Sequence, residues 1–398
     1  MPGSFPALTR RAKPGVMIDN LLDPVSLAQA LIRQPTVNPC HDGAQDVLAE
    51  ALESLGFCTK RYPFEGVDNL YARLGGAAPN FCFAGHTDVV PVGDAAGWTV
   101  DPFGAEIRDG VMYGRGTSDM KGAIAAFVSA TARYVADHGR PAGSISLLIT
   151  GDEEGPGLHG TRRLLPAVLA DGETIDHCIV GEPTSETRIA DIVKNGRRGS
   201  LNCVLKAVGR QGHAAYPEKS ANPMPVILDA LQKLRELKLD TGSPGFQPSN
   251  LEITTIDVGN SAHNVIPAQA MAKFNIRFNP NHTGADLMAR LEQLIGRGRD
   301  GVQLSLEMRV TGEAFYTTPG RLTELIIAAV EAETGRKPDL TTGGGTSDAR
   351  YIKDVCPVAE LGVRNEMAHK VDEHIPVDEI ETLCRIYYRL LAGYFAAA

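Results

Sequence analysis

Residues 199–311 break the rhythm of the sequence on either side of them. The order inside this stretch is strand, helix, strand, strand, helix, strand, over residues 201–208, 223–239, 250–258, 270–278, 284–295 and 302–310. Period-2 alternation marks two of the strands, through Ala272, Phe274, Ile276 and Phe278 and through Val302, Leu304, Leu306, Met308 and Val310. A βαββαβ order is that of a ferredoxin-like split unit, and about 110 residues suffice for a separate domain. The flanks alternate short apolar runs with helical patterns, and 398 residues are more than one core fills. The chain is therefore expected to be α/β. One domain is built from both flanks, residues 21–198 and 312–398, with residues 199–311 inserted.

Within the flanks, 69–74 and 81–84 are apolar runs separated by a turn, which predicts a hairpin. Residues 106–108 and 111–113 flank Asp109-Gly110, a stronger hairpin signal. A helix is predicted over 121–137, ended by Gly139, and buried strands over 144–150, 176–180 and 358–361. Residues 1–20 carry Arg10, Arg11 and Lys13 without a following apolar segment. They read as a flexible extension rather than a secretory signal, with Met17 an alternative start.

Charge and cysteine usage narrow the function classes. There are 39 basic and 48 acidic residues, net −9, so general binding to nucleic acid or anionic membrane is not expected. No apolar run reaches the ~18 residues of a membrane span. The seven cysteines are scattered without CxxC spacing, which suits a reduced, cytoplasmic chain.

Four of the predicted strands run directly into polar chemistry. Phe81–Ala84 leads into His86 and Asp88, 144–150 into Glu153 and Glu154, 176–180 into Glu182, and 358–361 through a loop to His369. Asp119 lies between a strand and a helix. Ligands of open α/β sheets bind outside the carboxyl ends of strands, so these groups can converge. Singly each is weak: Asp119 could cap the following helix, and Glu-Glu is common on surfaces. Together, imidazole and carboxylate oxygen without thiolate suit Zn²⁺, Co²⁺ or Mn²⁺. Five ligands are enough for two ions sharing a carboxylate. Asp88 is placed to accept the second ring N–H of His86. Of Glu153 and Glu154, one can bind metal while the other serves as general base. His41, His138, His159, His177, His282 and His374 lack such context and read as structural. Gly114-Arg115-Gly116 lacks the third glycine of a dinucleotide fingerprint, and 343–347 lacks the lysine of a P-loop, although its N–H groups suit an anion.

FAGHTDVVPVGDAAGW, YGRGTSDMKG, ITGDEEG, VGEPT, KNGRRGS, GRQGHAAYP, NVIPA, FNIRFN, TGGGTSDAR and MAHKVDE, in this order, resemble the M20 family of dinuclear zinc amidohydrolases from about residue 22 onward. The resemblance implies a mixed-sheet zinc-peptidase-like catalytic domain with the inserted unit as dimerisation domain. It implies two Zn²⁺ per subunit, with Co²⁺ able to substitute. His86, Asp119 and Glu182 would hold one ion, and Asp119, Glu154 and His369 the other, with Asp119 bridging. Glu153 would be the general base and Asp88 would orient His86. His213 would cross a homodimer interface to the partner's active site. Lys194, Arg197, Tyr216, Arg277, Gly345 and Thr346 match substrate-contact positions. KNGRRGS and TGGGTSD favour the branch whose amide substrates carry carboxylates at both ends. Where some relatives have two asparagines this chain has His263-Asn264, which bears on fine substrate preference.

Overall fold

Ser144–Thr150 is buried at every position and lies between two strands that the sequence suggests should pair with each other. It runs antiparallel to Asn69–Gly75 and parallel to Asn80–His86. The hairpin expected over 69–84 therefore does not form. Both strands bury their apolar runs against a partner more than sixty residues further on, which the local turn cannot report. The hairpin at Asp109-Gly110 is present: Glu106–Arg108 pairs with Val111–Tyr113, and both turn residues have positive φ (50° and 77°), as a type I′ turn needs.

This computed structural model describes residues 21–38, 43–345 and 347–396. The expected N-terminal extension, His41 and Thr346 fall outside them. The chain forms two compact units. The first comprises residues 1–191, 324–338 and 360–398, and the second 192–323 and 339–359. All of 199–311 falls in the second unit, which also takes in flanking segments. Those flanks pair among themselves: Gly196–Arg197 with Phe315–Tyr316, and Ile192–Lys194 with Asp339–Thr341.

In the first unit, Asn80–His86 is flanked by Ser144–Thr150 and by His177–Val180, both parallel to it. The carboxyl ends of three neighbouring strands thus share one edge. Helix Gly122–His138 ends at Gly139, whose φ of 76° is the left-handed region that glycine accepts freely. The ring of Phe127 on this helix stacks on Phe83 (centroids 4.5 Å apart), and Tyr387 of helix Val377–Phe395 meets both edge-on. Full burial of such side chains contributes about 1.5–3 kcal/mol each.

The second unit has Gly199–Val208, Asn250–Asp257, Gln269–Phe278 and Val302–Gly312 in one antiparallel sheet, with helices Pro223–Glu236 and Gly284–Ile295. Gln269–Phe278 and Gly199–Val208 are the central strands, between Asn250–Asp257 and Val302–Gly312. That is the ferredoxin-like order. Phe274, Ile276 and Phe278 are buried with Leu201, Leu205, Ile227 and Leu291.

Asp240 ties the end of this unit together. Its carboxylate accepts from Gly242 N (2.7 Å), Ser249 N (3.2 Å), Asn279 Nδ2 (2.7 Å) and His282 Nε2 (3.0 Å). Burial alone would raise the Asp240 carboxyl, but the donors of Ser249, Gly242 and Asn279 outweigh it and hold it below its usual 3.8. A depressed folded-state pKa gives stability that is present above 3.8 and lost as pH falls through the lower value. Asp240→Ala, which orphans several donors, should cost about 1–3 kcal/mol. Urea unfolding at neutral pH reads this out, and an unchanged midpoint would contradict it.

Candidate metal centre

All the expected ligands lie in the first unit, three of them at or after strand ends and two in turns or loops. His86 closes its strand. Glu153 and Glu154 follow Ser144–Thr150, and Glu182 follows His177–Val180. Asp119 lies in the Thr117–Lys121 turn before helix Gly122–His138, but no side chain caps that helix, so the capping alternative does not hold. Strand His374–Pro376 pairs with Val111–Tyr113 and so brings the loop of His369 beside Asp119.

The five side chains converge. Asp119 Oδ1 lies 3.1 Å from His86 Nε2, and Asp119 Oδ2 lies 3.2 Å from His369 Nε2. His369 Nε2 is 2.7 Å from Glu154 Oε1, and His86 Nε2 is 3.9 Å from Glu182 Oε1. One carboxylate thus addresses two imidazoles with separate oxygens. Ligand atoms of His86, Asp119 and Glu154 lie within 4.8 Å of one another, as do those of His86, Glu153 and Glu182.

Asp88 acts differently from expectation. The ring N–H of His86 goes to the Asp88 main-chain carbonyl (Nδ1···O 3.0 Å), while the Asp88 carboxylate is 3.7 Å from that nitrogen. With Nδ1 donating, the neutral ring turns the lone pair of Nε2 towards Asp119, the tautomer a metal ligand needs. The Asp88 carboxylate instead accepts from Glu153 N (3.2 Å), Glu154 N (3.0 Å) and Asn38 Nδ2 (3.0 Å), and so holds the Glu-Glu turn in place. Sequence reading missed Asn38, which also donates to Gly151 O and Asp152 Oδ1. Gly362 matters here as well. A Cβ there would come within 2.2 Å of Glu182 O, so only glycine lets this chain segment approach the Glu182 main chain.

The electrostatics call for countercharge. Burial and the charges of Asp119 and Glu153 push the Glu182 carboxyl well above its usual range. Burial opposes a charge on His86, yet Asp119, Asp88 and Glu182 outweigh it and raise its pKa well above 6.5. Asp119 and Glu154 raise His369 to about 10. Buried carboxylates that repel one another and draw protons onto their neighbours fit a divalent cation, and the nitrogen–oxygen donor set suits the borderline ions.

The remaining expected residues that the structure describes lie in the second unit, and all but Arg277 fall into two groups. Lys194 and Arg197, both nearly buried, donate to Gly343 O and Gly345 O (each 2.9 Å). A Cβ at Gly344, where φ is 102°, would strike both cations. His213, Tyr216, His263 and Asn264 gather around the short ribbon in which Gly212–His213 pairs with Val265–Ile266, and all four are exposed. Arg277 pairs with Ser200 and Asn250 in the sheet. Burial lowers the Arg198 guanidinium, and Arg277 lowers it further. This juxtaposition with Arg198 had no spacing signal in the sequence. Of the histidines read as structural, His177 meets Tyr394 OH, His282 meets Asp240 and His374 meets Asp372 O.

The profile of peptidase family M20/M25/M40 matches residues 82–393. The chain belongs to this family of hydrolytic metalloenzymes. A relative from Maricaulis maris, a succinyl-diaminopimelate desuccinylase, is 57% identical over 95% of this chain and 97% of its own length. A protein of the same description from Caulobacter sp. is 56% identical over 94% and 97%. The crystal structure of a dinuclear metal-binding M20 peptidase from Bacillus subtilis superposes with a TM-score of 0.70 at 13% identity, over 94% of this chain and 98% of that one, and shares the fold.

Proposed function

We propose that this chain hydrolyses the succinyl amide of N-succinyl-LL-2,6-diaminopimelate to succinate and LL-2,6-diaminopimelate, a lysine precursor. It does so as a cytoplasmic homodimer with two divalent cations per subunit, zinc with cobalt able to replace it. The reaction is supported by relatives above 50% identity along almost the whole chain. The observation that carries the metal chemistry is the Asp119 carboxylate set between two imidazoles. His86, Asp119 and Glu182 would hold one ion, and Asp119, Glu154 and His369 the other. When bound, the ions supply Lewis acidity towards the amide carbonyl and the attacking water.

The protein's own groups do the rest. Glu153 takes the proton of the attacking water and returns it to the leaving amine, held in place by the Asp88 carboxylate. Ala215 N donates to His213 Nδ1 (3.0 Å), so in the neutral ring the proton sits on Nε2, ready to donate to the developing oxyanion. Lys194, Arg197, Arg277, Tyr216, Gly345 and Thr346 receive the substrate's carboxylates, with His263 and Asn264 setting preference among acyl amides.

Two substrates test this. With zinc or cobalt supplied, kcat/KM for N-succinyl-LL-2,6-diaminopimelate should exceed that for N-acetylornithine by about 10²-fold or more. The reverse preference would assign a different M20 amide hydrolysis. No turnover of either would point to a non-catalytic relative.

A further inference from the structure

Arg115 and Glu373 form an ion pair with almost no solvent exposure, Nη1 to Oε2 2.7 Å apart. Neither residue is among the expected ligands or substrate contacts. As a source of stability such a pair is weak, because desolvating two charges offsets most of their attraction. Its remaining hydrogen bonds are more informative, since they go to the main chain around two candidate ligands. Glu373 Oε1 accepts from Ser118 N (2.9 Å) and Asp119 N (3.2 Å). Arg115 Nη1 donates to Lys370 O (3.0 Å), and Nη2 to His369 O (3.4 Å) and Pro91 O (3.2 Å). The guanidinium also lies 5.3 Å from the centre of the Trp98 ring. His369 itself holds a φ of 64°, a conformation uncommon for residues other than glycine.

We propose that Arg115 and Glu373 are positioning residues for the metal centre. The pair clamps the backbone of Asp119 to that of His369, and so sets the separation between the bridging carboxylate and the imidazole it faces. This rests on the metal reading above. A planar guanidinium is required, because its two Nη groups reach three carbonyls and a carboxylate at once; a lysine ammonium can replace the charge but not the geometry. Outer hydrogen bonds of this kind typically change metal affinity by about 10–100-fold.

The test is titration of metal-free protein with Co²⁺, read by calorimetry and by the visible spectrum of the bound ion. Arg115→Lys and Glu373→Gln should keep the wild-type circular dichroism, bind Co²⁺ about 10–100-fold more weakly and show an altered spectrum. Should either single variant fail to fold, the paired replacement Arg115→Met with Glu373→Leu leaves no orphaned charge and should give the same loss of affinity. Folded variants with wild-type affinity and spectrum would overturn the positioning role. Wild-type protein that takes up no Co²⁺ would instead overturn the metal reading on which it rests.

Discussion

Glu153→Ala is expected to lower kcat by about 10²–10⁴-fold, the usual contribution of a positioned general base. Metal content should not change. The candidate ligands His86, Asp119, Glu154, Glu182 and His369 are untouched, and the main chain at Glu153 stays fixed through the N–H it gives to Asp88. Truncating a side chain beside buried carboxylates removes like-charge repulsion, since Glu153 is one of the charges that raise Glu182. Lost turnover with folding and metal content unchanged would therefore report the lost proton transfer. Elemental analysis alongside steady-state kinetics makes the distinction, and a variant that keeps its activity would remove Glu153 from the base role.

His213→Ala should lower kcat by about 10²–10³-fold with little change in KM, as loss of an oxyanion donor does. The residue is exposed on a short ribbon, so stability should be unaffected. A sharper result comes from mixing. If His213 serves the partner's active site, a dimer of one Glu153→Ala chain and one His213→Ala chain has one intact site: the second chain's Glu153 with the first chain's His213. Random reassembly of equal amounts should then recover about a quarter of wild-type activity from two nearly inactive proteins. No recovery from demonstrably mixed dimers would place His213 in its own chain's site or outside the chemistry.

The parts of this molecule that are legible in its sequence are those with local causes. Asp109-Gly110 dictates its hairpin because the turn type needs two positive φ values in succession. The period-2 strands of 199–311 and their helices form as read. The candidate ligands His86, Glu154 and Glu182 could be picked out because each stands at or just after the end of an apolar strand, and those strands prove to be parallel neighbours. Strand adjacency itself was not local. Asn69–Gly75 and Asn80–His86 look like a hairpin, yet Ser144–Thr150 lies between them. Residues that grip main chain are harder to read: Arg115 and Glu373 lie inside the blocks YGRGTSDMKG and MAHKVDE, yet nothing local shows that they pair with each other. Asn38 stands far along the chain from its partners Asp88, Gly151 and Asp152, and the contacts of Arg115 and Glu373 with each other and with the main chain at His369 and Asp119 are brought close only by the fold. Asp88 shows the same limit: two residues from His86, it was expected to use its carboxylate on the ring, but its carbonyl does so and the carboxylate holds Glu153 and Glu154.

The central claim is a two-ion centre bridged by Asp119. Equilibrium titration of metal-free wild-type protein with Zn²⁺, beside Asp119→Ala, tests it most directly. The account predicts two ions per wild-type chain, activity that rises with loading, and at most one weakly held ion with no turnover in the variant. Two tightly bound ions in Asp119→Ala, or a wild-type chain that hydrolyses its substrate with no divalent metal bound, would contradict it.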